Sequence, residues 1–401
     1  MDDKQDMSQV NHEEIVNLLT LRYHPIANTL LPRRNWKDFI EKDHSMNEAL
    51  VKLENILLKT IENIQTKKLG VAFSGGLDST TILWLAKQYK ANIMTFSMVE
   101  DAEDKSIETI SNKFDVEHHN IVVTNVLERL PEQIYILGKP RWNLYSYYVF
   151  DYASKHCDVL FTGDGGDEIF GGYTFRYQRV LNEDPKNLLD KIKIYLNAHE
   201  RDWVPDQELI FGSAINFKWN TIYSKFNEYF DNPLPLIDQL FLADFNGKLL
   251  YDWLPVYYKW SEALNITTYS PFLEKMLIDF ATHMPYKLKY DHTTKKGKLI
   301  LRKFLSMKNI PQNITEQNKS GFVVDTVKLW KNYGRMVFEE LMDKSRIVTD
   351  GLINKEWIDK TLHSEFRLNS PRYINKLLGI LALEIWYRIF VINDMKRSER
   401  L

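Results

Sequence analysis

The sequence predicts an α/β fold: a parallel-sheet core followed by a largely helical C-terminal part. Three observations carry this. Residues 68–175 alternate short apolar runs with helix-period patterns, the signature of strands joined by crossover helices. The first apolar run stops abruptly at a small, glycine-bearing turn, Ser74-Gly75-Gly76-Leu77-Asp78-Ser79. After residue 176 strand signals become few and helical ones many.

Taken in order, residues 1–10 are polar and read as loose. Residues 12–67 read as mostly helical, interrupted near Pro25 and Pro32, with Leu50, Leu53, Ile56, Leu57, Ile61 and Ile64 forming an apolar stripe. The expected strands are 69–73, 92–97, 118–123 and 158–162. The expected helices between them are about 79–90, 104–115, 125–136 and 145–156. Asp291–Lys298 and Thr315–Gly321 read as polar loops between helices. Three segments follow: a helical lead-in (1–67), the α/β core (68–175) and a helical portion (176–401). In a parallel sheet ligands bind beyond the carboxyl ends of the strands, where Ser74–Asp78, Ser97 and Gly163–Asp167 are expected.

Composition narrows the function. Lys plus Arg is 52 against 54 for Asp plus Glu, a net charge of -2, which argues against a nucleic-acid binder. The single cysteine, Cys157, rules out an internal disulfide and a multi-cysteine zinc site; just before an apolar strand, it reads as a core residue. Met1-Asp2-Asp3-Lys4 does not resemble a signal peptide, and no apolar run nears the ~20 residues of a membrane span. A cytoplasmic protein is expected, with no membrane partner.

Two loops carry chemistry. At Ser74–Ser79, Gly75 and Gly76 let an anion approach the backbone, and a helix start supplies unpartnered N–H groups. Ser74, Ser79 and Thr80 offer hydroxyls. Asp78, a carboxylate inside an anion site, makes sense if it holds a divalent cation against phosphates. The loop lacks the Gly-Lys-Ser/Thr ending of a Walker motif. The second loop, Thr162 to Tyr173, packs five glycines and three acids into twelve residues. Acids this close repel one another unless a cation or a proton intervenes.

The first loop resembles the pyrophosphate loop of the N-type ATP pyrophosphatases. Paired with Gly163-Asp164-Gly165-Gly166-Asp167-Glu168-Ile169-Phe170-Gly171-Gly172-Tyr173, it resembles the synthetase domain of glutamine-dependent asparagine synthetases, β-lactam synthetases and lasso-peptide cyclases. Leu19–Tyr23, Glu117-His118-His119, Ser270–Glu274, His283-Met284-Pro285, Lys298–Arg302 and Lys319–Phe322 extend the likeness over roughly 12–325. The resemblance implies cleavage of ATP between the α- and β-phosphates, activation of a carboxylate as an acyl-adenylate, and attack by an amine to form an amide. It implies that Ser74, Gly75, Gly76, Asp78 and Ser79, with Thr80 beside them, cradle pyrophosphate. Val71, Phe73, Ser97 and Gly163 would line the adenosine, and Asp78 and Asp167 would hold Mg²⁺. Lys298 and Lys319 would meet the phosphates, Lys319 also stabilising charge during attack. Asp164 stands where the family commonly carries a glutamate, and a carboxylate there can take a proton from the amine. His118 and His119 read as structural.

Two departures bear on what is made. The family's glutaminase half, with its N-terminal catalytic cysteine, has no counterpart in a sequence that reads Met-Asp-Asp. The expectation is use of free ammonia, of ammonia from a separate glutaminase, or of another amine. The family's Glu and Arg before its Pro-Phe-Leu-Asp block are replaced by Thr267 and Tyr269. That argues against plain aspartate, unless the pair is only a brace replaced by hydrogen bonds. Tyr251, Trp253, Tyr257, Tyr258 and Trp260 cluster nearby; most read as core, and some as walls of a larger, more apolar substrate site. The expected function is ATP- and Mg²⁺-dependent amide formation on a small-molecule or peptide carboxylate. The alternatives are an intramolecular cyclase, an asparagine synthetase subunit with a separate glutaminase, a non-catalytic nucleotide-binding scaffold and, against the charge balance, a tRNA-modifying pyrophosphatase.

Overall fold

A computed structural model describes residues 10–25, 29–62, 64–89, 92–101, 103–104, 106–316 and 324–401. Its centre is a five-stranded, wholly parallel sheet: β1 (Lys68–Ala72), β2 (Asn92–Val99), β3 (Glu117–Val122), β4 (Val159–Phe161) and β5 (Thr267–Tyr269), in the spatial order β3-β2-β1-β4-β5. The chain builds outward from β1 to β2 and β3, then crosses to the opposite side of β1 to lay down β4. The strand order therefore reverses between β1 and β4. That reversal opens a crevice at the carboxyl ends, the usual ligand position in such sheets.

The elements follow local chemistry. Helix α1 (His12–Leu21) is capped by Asn11, whose Oδ1 accepts from the Glu14 N–H at 3.2 Å. Helix α2 (Met46–Ile61) begins with a reciprocal Ser45–Glu48 capping box and buries Leu50, Leu53, Ile56, Leu57 and Ile61, the stripe read from sequence. Helix α3 (Leu77–Ala86) starts directly at the first glycine loop and is buried on nearly all sides. Helix α4 (Ser106–Ser111) runs into a short 3₁₀ turn that ends at Asp115 in the left-handed region. Helix α5 (Leu130–Leu137) is shorter than the expected 125–136, because Pro131 is favoured in a first turn and sets the start. Helix α6 (Tyr147–Ala153) covers the sheet ahead of β4, and α7 (Gly166–Phe170) lies within the second glycine loop.

Two features of the C-terminal segment differ from expectation. The sheet recruits β5 from residues read as helical surroundings, pairing Thr267, Thr268 and Tyr269 with Val159, Leu160 and Phe161. The polar loop 291–298 contains all but the first residue of a small antiparallel hairpin, Tyr290–Asp291 against Lys296–Gly297. Among the described residues, the rest after residue 176 is helix, turn and irregular chain apart from an isolated antiparallel bridge between Phe211 and Ile353, and one continuous apolar cluster joins it to the sheet and to α1 and α2. Cys157 lies in that cluster, its thiol pushed up to about 12 by burial, as a packing residue should be. No helix among the described residues is long and apolar enough to cross a membrane.

Candidate active site

The two glycine loops face each other across the crevice. After β1, Gly75 turns the chain with φ +71°, and Gly76 occupies the N-cap of α3 without any side-chain cap. No side chain caps the first turn of α3, whose N–H groups point out of the helix end. Ser74 and Ser79 hold the loop's shape: their hydroxyl oxygens lie 3.2 Å apart, and Ser79 donates to the Gly76 carbonyl at 3.1 Å. Ser97 donates to the Phe73 carbonyl, tying the end of β2 to that of β1. Val71, Phe73, Ser97 and Thr80 are completely buried and form the floor behind the loop rather than its open face.

From the other side, Gly163 leaves β4 in contact with Asp78; a Cβ at position 163 would lie 3.0 Å from the Asp78 Cβ. At Gly166 a Cβ would stand 2.6 Å from Asp78 Oδ1, and at Gly172 it would collide with the Asp167 carboxylate and the Lys298 stem. Gly163, Gly166 and Gly172 therefore leave the room in which three charged groups meet. Lys298 is that meeting point. Its Nζ donates to Asp78 Oδ2 and lies 2.6 Å from Asp167 Oδ1, with only 8% of its side chain exposed. Burial alone would lower the pKa of this ammonium; the Asp167 and Asp78 carboxylates more than reverse that and hold it charged, above its ordinary value.

Lys298 is delivered there by the hairpin. Gly297 packs against the Gly171 carbonyl, and the Lys298 N–H donates to the Phe170 carbonyl at 3.1 Å. Lys298 itself adopts φ 55° at the N-cap of the helix Leu299–Met307. Arg302, one turn on, donates to the Gly297 carbonyl at 2.8 Å and to that of Thr315 at 2.6 Å, fixing the hairpin from behind. Lys319 lies outside the described residues.

Asp164 sits at the mouth of β4 beside the same cluster. Burial raises its carboxyl to about 7; hydrogen bonds with Thr162 and Tyr257 offset part of that rise, and the charges of Asp78 and Asp167 add to it. Burial, reinforced by Asp164, holds the Tyr257 phenol well above its ordinary value, so it remains a donor. Ser270 donates to the Asp164 carbonyl at 2.7 Å, pinning the loop to the chain leaving β5. Sequence reasoning noted Tyr257 only as part of an aromatic cluster; nothing in its spacing signals a bond to Asp164.

Beyond Asp164 opens a cavity of about 540 Å³, bounded by β5, Tyr257, Tyr258, Leu254 and Leu273. Trp260 is core, packed on Tyr147 and Phe150. Trp253 lies under the Arg141 guanidinium, and Tyr251 stacks on Tyr23. The Tyr269 hydroxyl donates to the Thr60 carbonyl at 2.7 Å, so this residue braces β5 against α2 by a hydrogen bond. His118 bonds Thr95 and Asn120 along the sheet, and His119 stacks on Phe96; both serve the sheet edge.

Asp78 and Asp167 offer hard oxygen ligands that converge on one positive charge, the Lys298 ammonium. Mg²⁺ typically takes one or two carboxylates plus substrate phosphates, and among the described residues no group of three or more His, Cys, Asp or Glu is arranged to hold a metal. The pair therefore fits a cation that arrives with a nucleotide, not one caged by protein alone.

Comparison with known proteins now adds the family. The model of the family described as Asparagine synthase matches residues 58–388. The chain belongs to the asparagine synthase family. It is 25% identical over 375 residues to asparagine synthetase [glutamine-hydrolyzing] 1 of Bacillus subtilis, covering 80% of this chain and 56% of that protein. A putative asparagine synthetase [glutamine-hydrolyzing] of Mycobacterium bovis is 24% identical over 365 residues, covering 81% and 55%. The chain thus spans about half the length of these asparagine synthetase relatives. A solved NH3-dependent NAD synthetase from Campylobacter jejuni aligns with 49% of this chain and 92% of its own, at 13% identity and a TM-score of 0.24, too low to bear on the fold.

Proposed function

We propose that the chain is an AMP-forming amide ligase: it adenylates a carboxylate with ATP, releases pyrophosphate, and transfers the acyl group to ammonia or an amine. The observation that supports this most is the convergence of Asp78, Asp167 and Lys298 at the reversal point between β1 and β4, beside the uncapped start of α3. Cleaving ATP between its α- and β-phosphates develops charge on the departing pyrophosphate. On this reading the N–H groups at the start of α3, the Ser74 and Ser79 hydroxyls and Lys298 stabilise that charge. Asp78 and Asp167 would hold Mg²⁺, which supplies further neutralisation of the leaving group.

Asp164 is proposed as the base. An acid with a pKa near 7 is half deprotonated at neutral pH, the efficient range for general base work. An incoming ammonium yields one proton to Asp164. The freed lone pair bonds to the acyl carbon, the bond from that carbon to the adenylyl oxygen breaks, and its electron pair leaves with AMP. The second proton passes from nitrogen to water. Tyr257, held protonated, orients the Asp164 carboxylate. Lys319 is assigned by resemblance to the charge on the acyl centre.

The test is the nucleotide product. Incubated with ATP, Mg²⁺ and a panel of carboxylic acids, the protein should exchange radiolabelled pyrophosphate into ATP for the right acid and form AMP once an amine is added. ADP as the product would refute α/β cleavage.

A further inference from the structure

The cavity beside Asp164 is built for more than ammonia. Its volume of about 540 Å³ lies within the ~300–1,000 Å³ range of small-molecule sites, while a water-sized nucleophile takes about 30 Å³. Its walls are Leu31, Leu254, Ile266 and Leu273 with the rings of Tyr257 and Tyr258, and the hydroxyls of Ser261 and Thr267 line one side. Among the described residues that line it, no Lys, Arg or His occurs, and two carry a carboxylate, Asp164 and Glu262. Glu262 is half exposed and lies 3.2 Å from the equally exposed Lys259, a pair that solvent screens. Asp164 is therefore the charge that the interior of the cavity feels.

An α-amino acid brought into such a place would set its carboxylate beside Asp164 and Glu262 with no lining cation to pair it, an unfavourable arrangement. A protonated amine would instead meet Asp164 with a charge-assisted hydrogen bond, while its carbon body covers the leucines and tyrosines. We propose that this cavity is the amine subsite, and that it takes a primary ammonium carried on an apolar or aromatic body, in preference to free ammonia or a free α-amino acid. This inference rests on the ligase reading and narrows its nucleophile.

The test uses phenethylammonium as the cationic probe, 2-phenylethanol as its neutral counterpart, 3-phenylpropanoate as its anion, and L-aspartate and ammonium chloride as the alternatives, each titrated calorimetrically into the full chain. Phenethylammonium is expected to bind at least about tenfold more tightly than the neutral or anionic probe, one decade corresponding to ~1.4 kcal/mol. Thr267→Arg, which sets a cation on the exposed β5 wall, should weaken phenethylammonium by about tenfold or more and favour 3-phenylpropanoate. A fluorescent ATP analogue titrated into both proteins reports folding and the nucleotide site independently, and its affinity should not change. Tighter binding of L-aspartate than of phenethylammonium would overturn the proposal. So would failure of phenethylammonium to bind protein that still takes the ATP analogue, or an unchanged probe order in Thr267→Arg. Amine binding without AMP formation from any acid would instead sink the ligase reading and leave the subsite standing.

Discussion

Asp164 and Lys298 show how one neighbourhood sets two opposite charges. Burial pushes the Asp164 carboxyl up to about 7, so the folded chain binds that proton more tightly than the unfolded chain does. Its contribution to stability is full below the usual carboxylate range and is lost as pH rises towards 7. Asp164→Asn should therefore melt higher than the parent above pH 7 and at the same temperature near pH 4, measured by calorimetry without nucleotide. In turnover the sign reverses: the parent's rate should climb with pH through about 7 as the base deprotonates, and Asp164→Asn should lose that limb with a drop of about 10²–10⁴. Lys298 is held charged against burial by two carboxylates. Lys298→Ala leaves Asp78 and Asp167 facing each other and should destabilise by about 3 kcal/mol, read by denaturant titration, with pyrophosphate exchange abolished. A stable Lys298→Ala protein with parental exchange would remove this residue from the site.

At the scale of elements, the glycine loop after β4 works by leaving room. Gly166→Ala would put a methyl group 2.6 Å from the Asp78 carboxylate, so either the loop or that carboxylate must shift, and both moves disturb the pair with Lys298. The expected outcome is exchange activity lower by about 10² or more, from a displacement near 1 Å, in a protein whose circular dichroism is unchanged. The two loops were legible in the sequence because strand, small-residue turn and helix start are all local signals. β5 was not legible. Thr267-Thr268-Tyr269 is a short run with no alternating pattern to separate it from its surroundings, and it becomes a strand only because β4 offers an open edge. The same holds for the hairpin that carries Lys298. Its sequence reads as a polar loop, and its place beside Asp78 depends on contacts with Gly171 and Phe170, more than a hundred residues earlier. Resemblance flagged Lys298; spacing alone did not. The bond between Tyr257 and Asp164 had no signal at all.

Across the whole molecule, a buried ionic network joins the lead-in to the helical portion. Asp252 pairs with Arg141 at 2.5 Å and with Arg22, at the end of α1, at 3.5 Å; its side chain is 2% exposed. Asp252→Ala takes the carboxylate from the buried Arg141 guanidinium, while Arg22 keeps Asp202 at 3.6 Å, and should cost about 3 kcal/mol, measured as a fall in the urea midpoint, without altering which nucleotide product forms. The segments read from sequence are thus bound by shared charge as well as by the common apolar core. The resting arrangement around Lys298 has one more consequence, for the order of events. Because its ammonium already pairs with Asp78 and Asp167, a bare metal ion bound as proposed would have to compete with a tethered, internal cation for these carboxylates. Calorimetric titration of Mg²⁺ alone should therefore show little heat, and the same titration with a non-hydrolysable nucleotide present should show strong binding, the phosphates drawing the lysine aside as they arrive. On the proposed reading the lysine is a placeholder, offsetting one of the two carboxylate charges until metal and nucleotide enter together.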